Sequence, residues 1–193
     1  MKVTLKDGSV KEYSEPMSVN DIAFDIAGGL GRAACAGEVD GEVVDLRTVL
    51  DKDCELNILT ARDEKGLAVL RHTASHVMAE AVQTLFPEAK VAIGPSIDTG
   101  FYYDFECQSF SRDDLDAIEK EMKKIIKKGA KIERFTKSRE DAIAFFKEKN
   151  EPYKVELIED LPEGEEISFY SQGDWVDLCA GPHLMSTKGI KAF

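Results

Sequence analysis

Val3-Thr4-Leu5-Lys6-Asp7-Gly8-Ser9-Val10-Lys11-Glu12-Tyr13 opens the chain with strand-like alternation interrupted by an Asp-Gly pair. A two-residue period suits strands half-buried in a sheet, and Asp-Gly supplies the backbone freedom of a tight turn, so this stretch predicts an antiparallel hairpin. The period then changes. Ser18 stands where a helix N-cap is needed, Asp21 follows three residues on, and Ile22, Ile26 and Leu30 recur at helical spacing. Gly28-Gly29 and Gly31 are expected to stop that helix. Because these glycines follow a helix and do not precede one, they do not suggest a phosphate-binding loop. Ala33 to Val39, an Asp40-Gly41 turn and Glu42 to Leu46 predict a second hairpin, and Glu55-Leu56-Asn57-Ile58-Leu59 a last strand. One helix crossing a small mixed sheet defines a first domain over residues 1–62, and nothing in it carries chemistry.

The polar stretch Ala61-Arg62-Asp63-Glu64-Lys65-Gly66 predicts the boundary, with a second domain over residues 63–193. Leu67, Leu70, Ala74, Val77, Met78, Ala81, Val82 and Leu85 form an apolar helical stripe closed by Pro87. On a helical wheel His72 and His76 lie about 160–180° from its centre, so they are expected off the face on which the helix packs. Ser111 with Asp114 caps a second helix, with the stripe Leu115, Ile118, Met122, Ile125, Ile126 and a stop at Gly129. Ser138 caps a third carrying Ile143, Phe145 and Phe146. Strands are expected at Lys90–Ile93, Tyr153–Ile158, Ile167–Tyr170 and Trp175–Leu178. Runs of strands and helices without βαβ alternation give the α+β class.

The formal charge of −12 over 193 residues argues against broad binding to a phosphate backbone, which depends on lysine and arginine displacing counterions. Any nucleic-acid contact should be local. The basic run Lys120, Lys123, Lys124, Lys127, Lys128 and Lys131 crowds towards a helix end, where it complements the dipole as a solvated face. No apolar stretch approaches the ~20 residues needed to span a bilayer, and no signal peptide is evident, so a cytoplasmic protein without a membrane partner is expected. Cys35, Cys54, Cys107 and Cys179 are scattered in a chain long enough to bury a core, which predicts free thiols.

All three histidines fall in two short motifs, His72-Thr-Ala-Ser-His76 and Cys179-Ala-Gly-Pro-His183. Histidines four apart on a helix share a face with Cβ atoms about 6 Å apart. Three nitrogens and a sulfur suit tetrahedral Zn²⁺. The same groups can equally place a water and substrate hydroxyls without metal, since imidazole donates or accepts a proton near neutral pH. Spacing alone leaves both readings open.

The helix-crossed sheet of the first domain is a ubiquitin-like β-grasp pattern and resembles the TGS domain of threonyl-tRNA synthetases and some GTPases. In the second domain His72-Thr-Ala-Ser-His76, Gly94-Pro95, Gly100-Phe101-Tyr102-Tyr103-Asp104, Tyr153-Lys154-Val155 and Asp177-Leu178-Cys179-Ala180-Gly181-Pro182-His183 run in the order of the threonyl-tRNA synthetase editing domain. The resemblance implies an α+β editing domain with a central antiparallel sheet and flanking helices. It also implies hydrolysis of the aminoacyl ester of mischarged seryl-tRNA(Thr) by water. His72, His76, Cys179 and His183 would line the pocket, with Lys154, Asp177 and Tyr103 as companions. By charge type, Lys154 and His72 would position or activate water, while His76, Cys179 and His183 orient the ribose and seryl group. Asp177 would bind the substrate's ammonium. Threonyl-type editing domains resemble metal-free hydrolases, whereas alanyl relatives hold zinc with a similar set, so zinc at His72, His76, Cys179 and His183 is the alternative. The partners implied are the acceptor end of tRNA(Thr) carrying serine and the rest of a synthetase. ATP, Mg²⁺ and a catalytic zinc would belong to an aminoacylation domain whose motifs are absent here, so no threonine activation is expected. A free-standing trans-editing hydrolase of alanyl type, a non-catalytic zinc module and an interaction module are the other readings.

Overall fold

The computed structural model describes residues 1–193. Its contacts group into two units: Met1–Arg71 with Gly181–Met185, and His72–Ala180 with Ser186–Phe193.

In the first unit five strands form a mixed sheet in the order Val10–Glu12, Lys2–Leu5, Cys54–Thr60, Ala34–Val39, Glu42–Val44. Lys2–Leu5 runs antiparallel to Val10–Glu12 and parallel to Cys54–Thr60, the mixed arrangement expected of the opening hairpin and last strand. Helix α1 (Val19–Ile26) crosses the sheet. The Ser18 hydroxyl accepts from the Asp21 amide at 3.1 Å, and Val19 and Ile22 seal against Val3, Leu46, Leu50 and Leu56. The glycines do not end the helical run as expected. Ala27 takes an extended conformation, and Gly28–Ala33 forms a short helix of its own, α2. Packing explains why glycine is wanted there: a Cβ on Gly31 would lie 2.4 Å from the Phe24 ring.

Helix α3 (Glu64–Leu85) follows a tight turn in which the Asp63 carboxylate accepts from the Thr60 amide and hydroxyl at 2.8 and 3.0 Å. Gly66 in its first turn is pressed on the backbone, since a Cβ there would lie 2.1 Å from the Thr60 carbonyl oxygen. Gly66→Ala is therefore expected to destabilise the first unit by about 1–3 kcal/mol through overpacking. A urea midpoint equal to that of the parent chain would contradict this.

The second unit centres on an antiparallel sheet ordered Ile132–Lys137, Ile167–Gln172, Trp175–Leu178. Helices α5 (Arg139–Glu148) and α6 (Pro152–Asp160) meet it through Ala142, Phe146, Ile158, Ile167 and Phe169. Phe146 and Phe135 stack on Phe169 with centroids 5.4 and 5.2 Å apart. The α+β class is thus the observed one. Two-residue strand pairs at Lys90–Val91 with Phe105–Glu106, and Ser96–Ile97 with Gly100–Phe101, complete the unit.

Three expectations need correction here. The expected strand Tyr153–Ile158 is helix α6: Pro152 occupies its first turn, where a missing N–H is harmless, and Val155 and Ile158 turn to the Phe146 cluster at three-residue spacing. Strand Ile132–Lys137 was not foreseen, being an edge strand with few buried residues. Finally the apolar stripe is not the only packed face of α3: Thr73 to Val77, His76 among them, are all buried and His72 is half-buried, so the histidines also lie on a packed face.

Helix α4 (Arg112–Lys128) has the expected Ser111–Asp114 capping box and ends on Gly129 at φ 67°. Ile118, Met122 and Ile125 are buried, but Leu115 is 55% exposed, so its core stripe begins a turn later. Lys123 pairs with Glu119, and Lys124 with Glu121 at 2.6 Å, so the basic run forms a solvated face. No helix is long and apolar enough to cross a membrane.

Candidate active site

Helical spacing in α3 sets the imidazoles of His72 and His76 edge to face, with centroids 5.2 Å apart. The strand Trp175–Leu178 supplies the opposing surface. Its pleat puts Trp175 and Asp177 on one face, and Cys179 follows directly after the strand. Lys154 comes from α6, and Tyr103 from the segment between the two short strand pairs.

Four of these side chains form a buried polar network. Lys154 Nζ lies 2.7 Å from Asp177 Oδ1 and donates to the Tyr103 hydroxyl at 2.9 Å; Tyr103 in turn donates to Asp177 Oδ2 at 2.5 Å. The Leu178 amide donates to Asp177 Oδ1 at 2.8 Å, and His76 Nε2 stands 3.6 Å from Oδ2. Lys154, Asp177 and His76 are only 2, 1 and 4% exposed. His72 and Cys179 are half-buried, with Sγ 3.4 Å from His72 Nε2. An ion pair thus sits at the bottom and an imidazole–thiol pair nearer solvent.

Burial sets the charge states. Desolvation pushes His76 down to about 3, against the pull of Asp177 and helped by repulsion from His72 and Lys154, so it is a neutral imidazole at physiological pH. For Asp177 burial alone would raise the pKa, but the Lys154 ammonium and the hydrogen bonds from Lys154 and Tyr103 outweigh it and hold the carboxyl below its ordinary value. Tyr103 is driven up by burial and by Asp177, so its hydroxyl stays protonated and donates.

The support beneath the site comes from motif residues to which spacing assigned no role. Ser75, between the two histidines, reaches the carbonyls of His72 at 2.8 Å and Gly94 at 2.6 Å. A Cβ on Gly94 would fall 2.0 Å from the Tyr103 ring, so this glycine lets the Gly94-Pro95 turn lie flat on that ring.

Two comparisons carry the family. The TGS domain model matches residues 1–60, and that of the threonyl and alanyl tRNA synthetase second additional domain matches residues 167–193. A threonine–tRNA ligase of Acetivibrio thermocellus is 61% identical over 194 residues, taking in 100% of this chain and 31% of that protein. One from Clostridium botulinum (strain Hall) is 58% identical over 193 residues, again 100% of this chain and 30% of that protein. Over its whole length the chain matches the N-terminal region of threonyl-tRNA synthetases. It spans less than a third of the length of these curated relatives.

Within this synthetase region, the structure brings His72, His76, Tyr103, Lys154, Asp177 and Cys179 together in one unit. His183 lies in the Gly181–Met185 segment grouped with the other unit, and its side chain is buried. Its amide donates to Asp45 Oδ2 at 3.2 Å and its carbonyl accepts from Arg47 at 3.3 Å. The donors of His72, His76 and Cys179 lie within 4.8 Å of one another, and two imidazoles with a thiol are a donor set zinc accepts. The nearby Lys154 ammonium opposes a second cation unless Asp177 offsets it.

Proposed function

We propose that this site hydrolyses the ester joining serine to the terminal ribose of mischarged tRNA(Thr). Serine lacks one methyl group of threonine, and a missing methyl is worth only about 1–3 kcal/mol of binding, or 10- to 200-fold, too little for translation. A second hydrolytic site answers that need. The observation that carries the reading is the layered arrangement of a buried Lys154–Asp177–Tyr103 network below the half-buried His72–Cys179 pair. His72, the more accessible imidazole, takes the proton of the attacking water and returns it to the ribose oxygen as the ester C–O bond breaks. Lys154 supplies positive potential from below, favouring the negative charge that develops on the ester carbonyl oxygen. His76 and Cys179 orient the ribose and seryl group, and His183 is assigned with them by motif.

Asp177 is assigned differently from its expected role. With Lys154, Tyr103 and the Leu178 amide already on its oxygens and 1% exposure, it offers no open face to a substrate ammonium. We assign it, with Tyr103, to holding Lys154. Lys154→Ala and His72→Ala are each expected to slow seryl-tRNA(Thr) deacylation by roughly 10²- to 10⁴-fold. Undiminished rates in both variants would sink these roles.

Zinc is the second reading, favoured by the mutual closeness of the donors. His72, His76 and Cys179 would hold it, and it would supply a more acidic bound water. Elemental analysis of protein purified without chelator is expected to find far less than one zinc per chain. A stoichiometric amount would replace the metal-free assignment.

A further inference from the structure

We propose that Trp175 is a positioning residue for His76, held in place by a Gln83–Glu151 bracket that also fixes the start of the helix carrying Lys154. This rests on the hydrolytic reading of the site. The Trp175 ring stands edge to face with His76, centroids 5.5 Å apart at 78°. Tyr103 meets the same imidazole from another direction at 6.4 Å, so two aromatic rings define the plane in which it is held. A buried neutral imidazole that orients substrate must keep that plane.

Hydrogen bonds fix Trp175 itself. Its indole N–H donates to Gln83 Oε1 at 2.8 Å. The Gln83 amide has one orientation because its Nε2 donates to Glu151 Oε1 at 2.6 Å and to the Ala89 carbonyl at 3.2 Å. Glu151 Oε2 accepts from the Val91 amide at 3.1 Å, anchoring the chain of contacts in the short strand pair. Glu151 is also the residue from which α6 starts, three positions before Lys154. One buried carboxylate thus serves both the wall of His76 and the helix of Lys154. Neither Gln83 nor Glu151 belongs to a motif, and Gln83 lies 68 residues from Glu151 and 92 from Trp175 in the chain.

Trp175 is the protein's one tryptophan, so its fluorescence reports this contact directly. Seryl-tRNA(Thr) deacylation should be compared for the parent chain, Trp175→Leu, Trp175→Phe and Gln83→Met. Trp175→Leu is expected to lower kcat about 3- to 10-fold, with KM unchanged, the size of a lost edge-to-face contact. Trp175→Phe, which keeps a ring, should recover most of that loss. Gln83→Met should shift the emission of Trp175 and lower kcat in parallel. A folded Trp175→Leu with the parent kcat, or Trp175→Phe as slow as Trp175→Leu, would overturn the proposal, as would Gln83→Met with unaltered emission and rate. A parent chain that releases no serine would sink the hydrolytic reading instead, which separates the two failures.

Discussion

Lys154→Met is expected to destabilise the second unit by about 3–5 kcal/mol, more than any other single change at the site. The substitution keeps the length and apolar body of the side chain but strands the Asp177 carboxylate at 1% exposure without its cation. Removing one partner of a buried pair leaves a desolvated charge, whereas removing both leaves none. The double variant Lys154→Met, Asp177→Leu should therefore recover much of the loss while remaining inactive in deacylation. Tyr103→Phe, which takes away the 2.5 Å hydrogen bond to Asp177 and the 2.9 Å one from Lys154 but leaves the ion pair, should cost less, about 1.5–3 kcal/mol. Urea unfolding of the four proteins checks the order. A single Lys154→Met as stable as the double variant would mean that the pair is not buried as described.

The second large effect is a loss of stability in mild acid. His76 is held neutral, its pKa lowered from 6.5 to about 3. Between those values the unfolded chain binds a proton at this residue and the folded chain does not. The imidazole's contribution is therefore complete above pH 6.5 and declines as the pH falls towards 3, with a slope approaching about 1.4 kcal/mol per pH unit. Glu80 and Glu151 act in the opposite sense, because burial raises their pKa values. They are common to the parent chain and to His76→Gln, so the difference between the two proteins isolates the imidazole. The gap in stability should narrow as the pH is lowered from 7 to 5. A gap independent of pH would show that folding does not shift the His76 pKa.

Much of the fold was legible because its signals are local. The Asp-Gly hairpin, the Ser18 and Ser111 caps and the Gly129 stop each depend on a few adjacent residues, and each forms in the structure. The failures have tertiary causes. Tyr153, Val155 and Leu157 alternate like a strand, yet Val155 and Ile158 are the residues that a helix turns to the Phe146 cluster. Gly28–Ala33 is rich in glycine and still helical because Gly31 lets the Phe24 ring approach. At the site, the paired imidazoles follow from helical spacing alone. Burial of Lys154 does not, because Asp177 lies 23 positions further along and Tyr103 lies 51 positions back. The bracket behind Trp175 was equally invisible, since Gln83 and Glu151 read as ordinary surface residues until the chain closes on them.

Release of serine from seryl-tRNA(Thr) by an excess of this chain, beside threonyl-tRNA(Thr) as control, tests the account most directly. Serine should leave well above the rate in buffer while the threonyl ester persists. Equal hydrolysis of both esters, or no acceleration of either at any protein concentration, would contradict it.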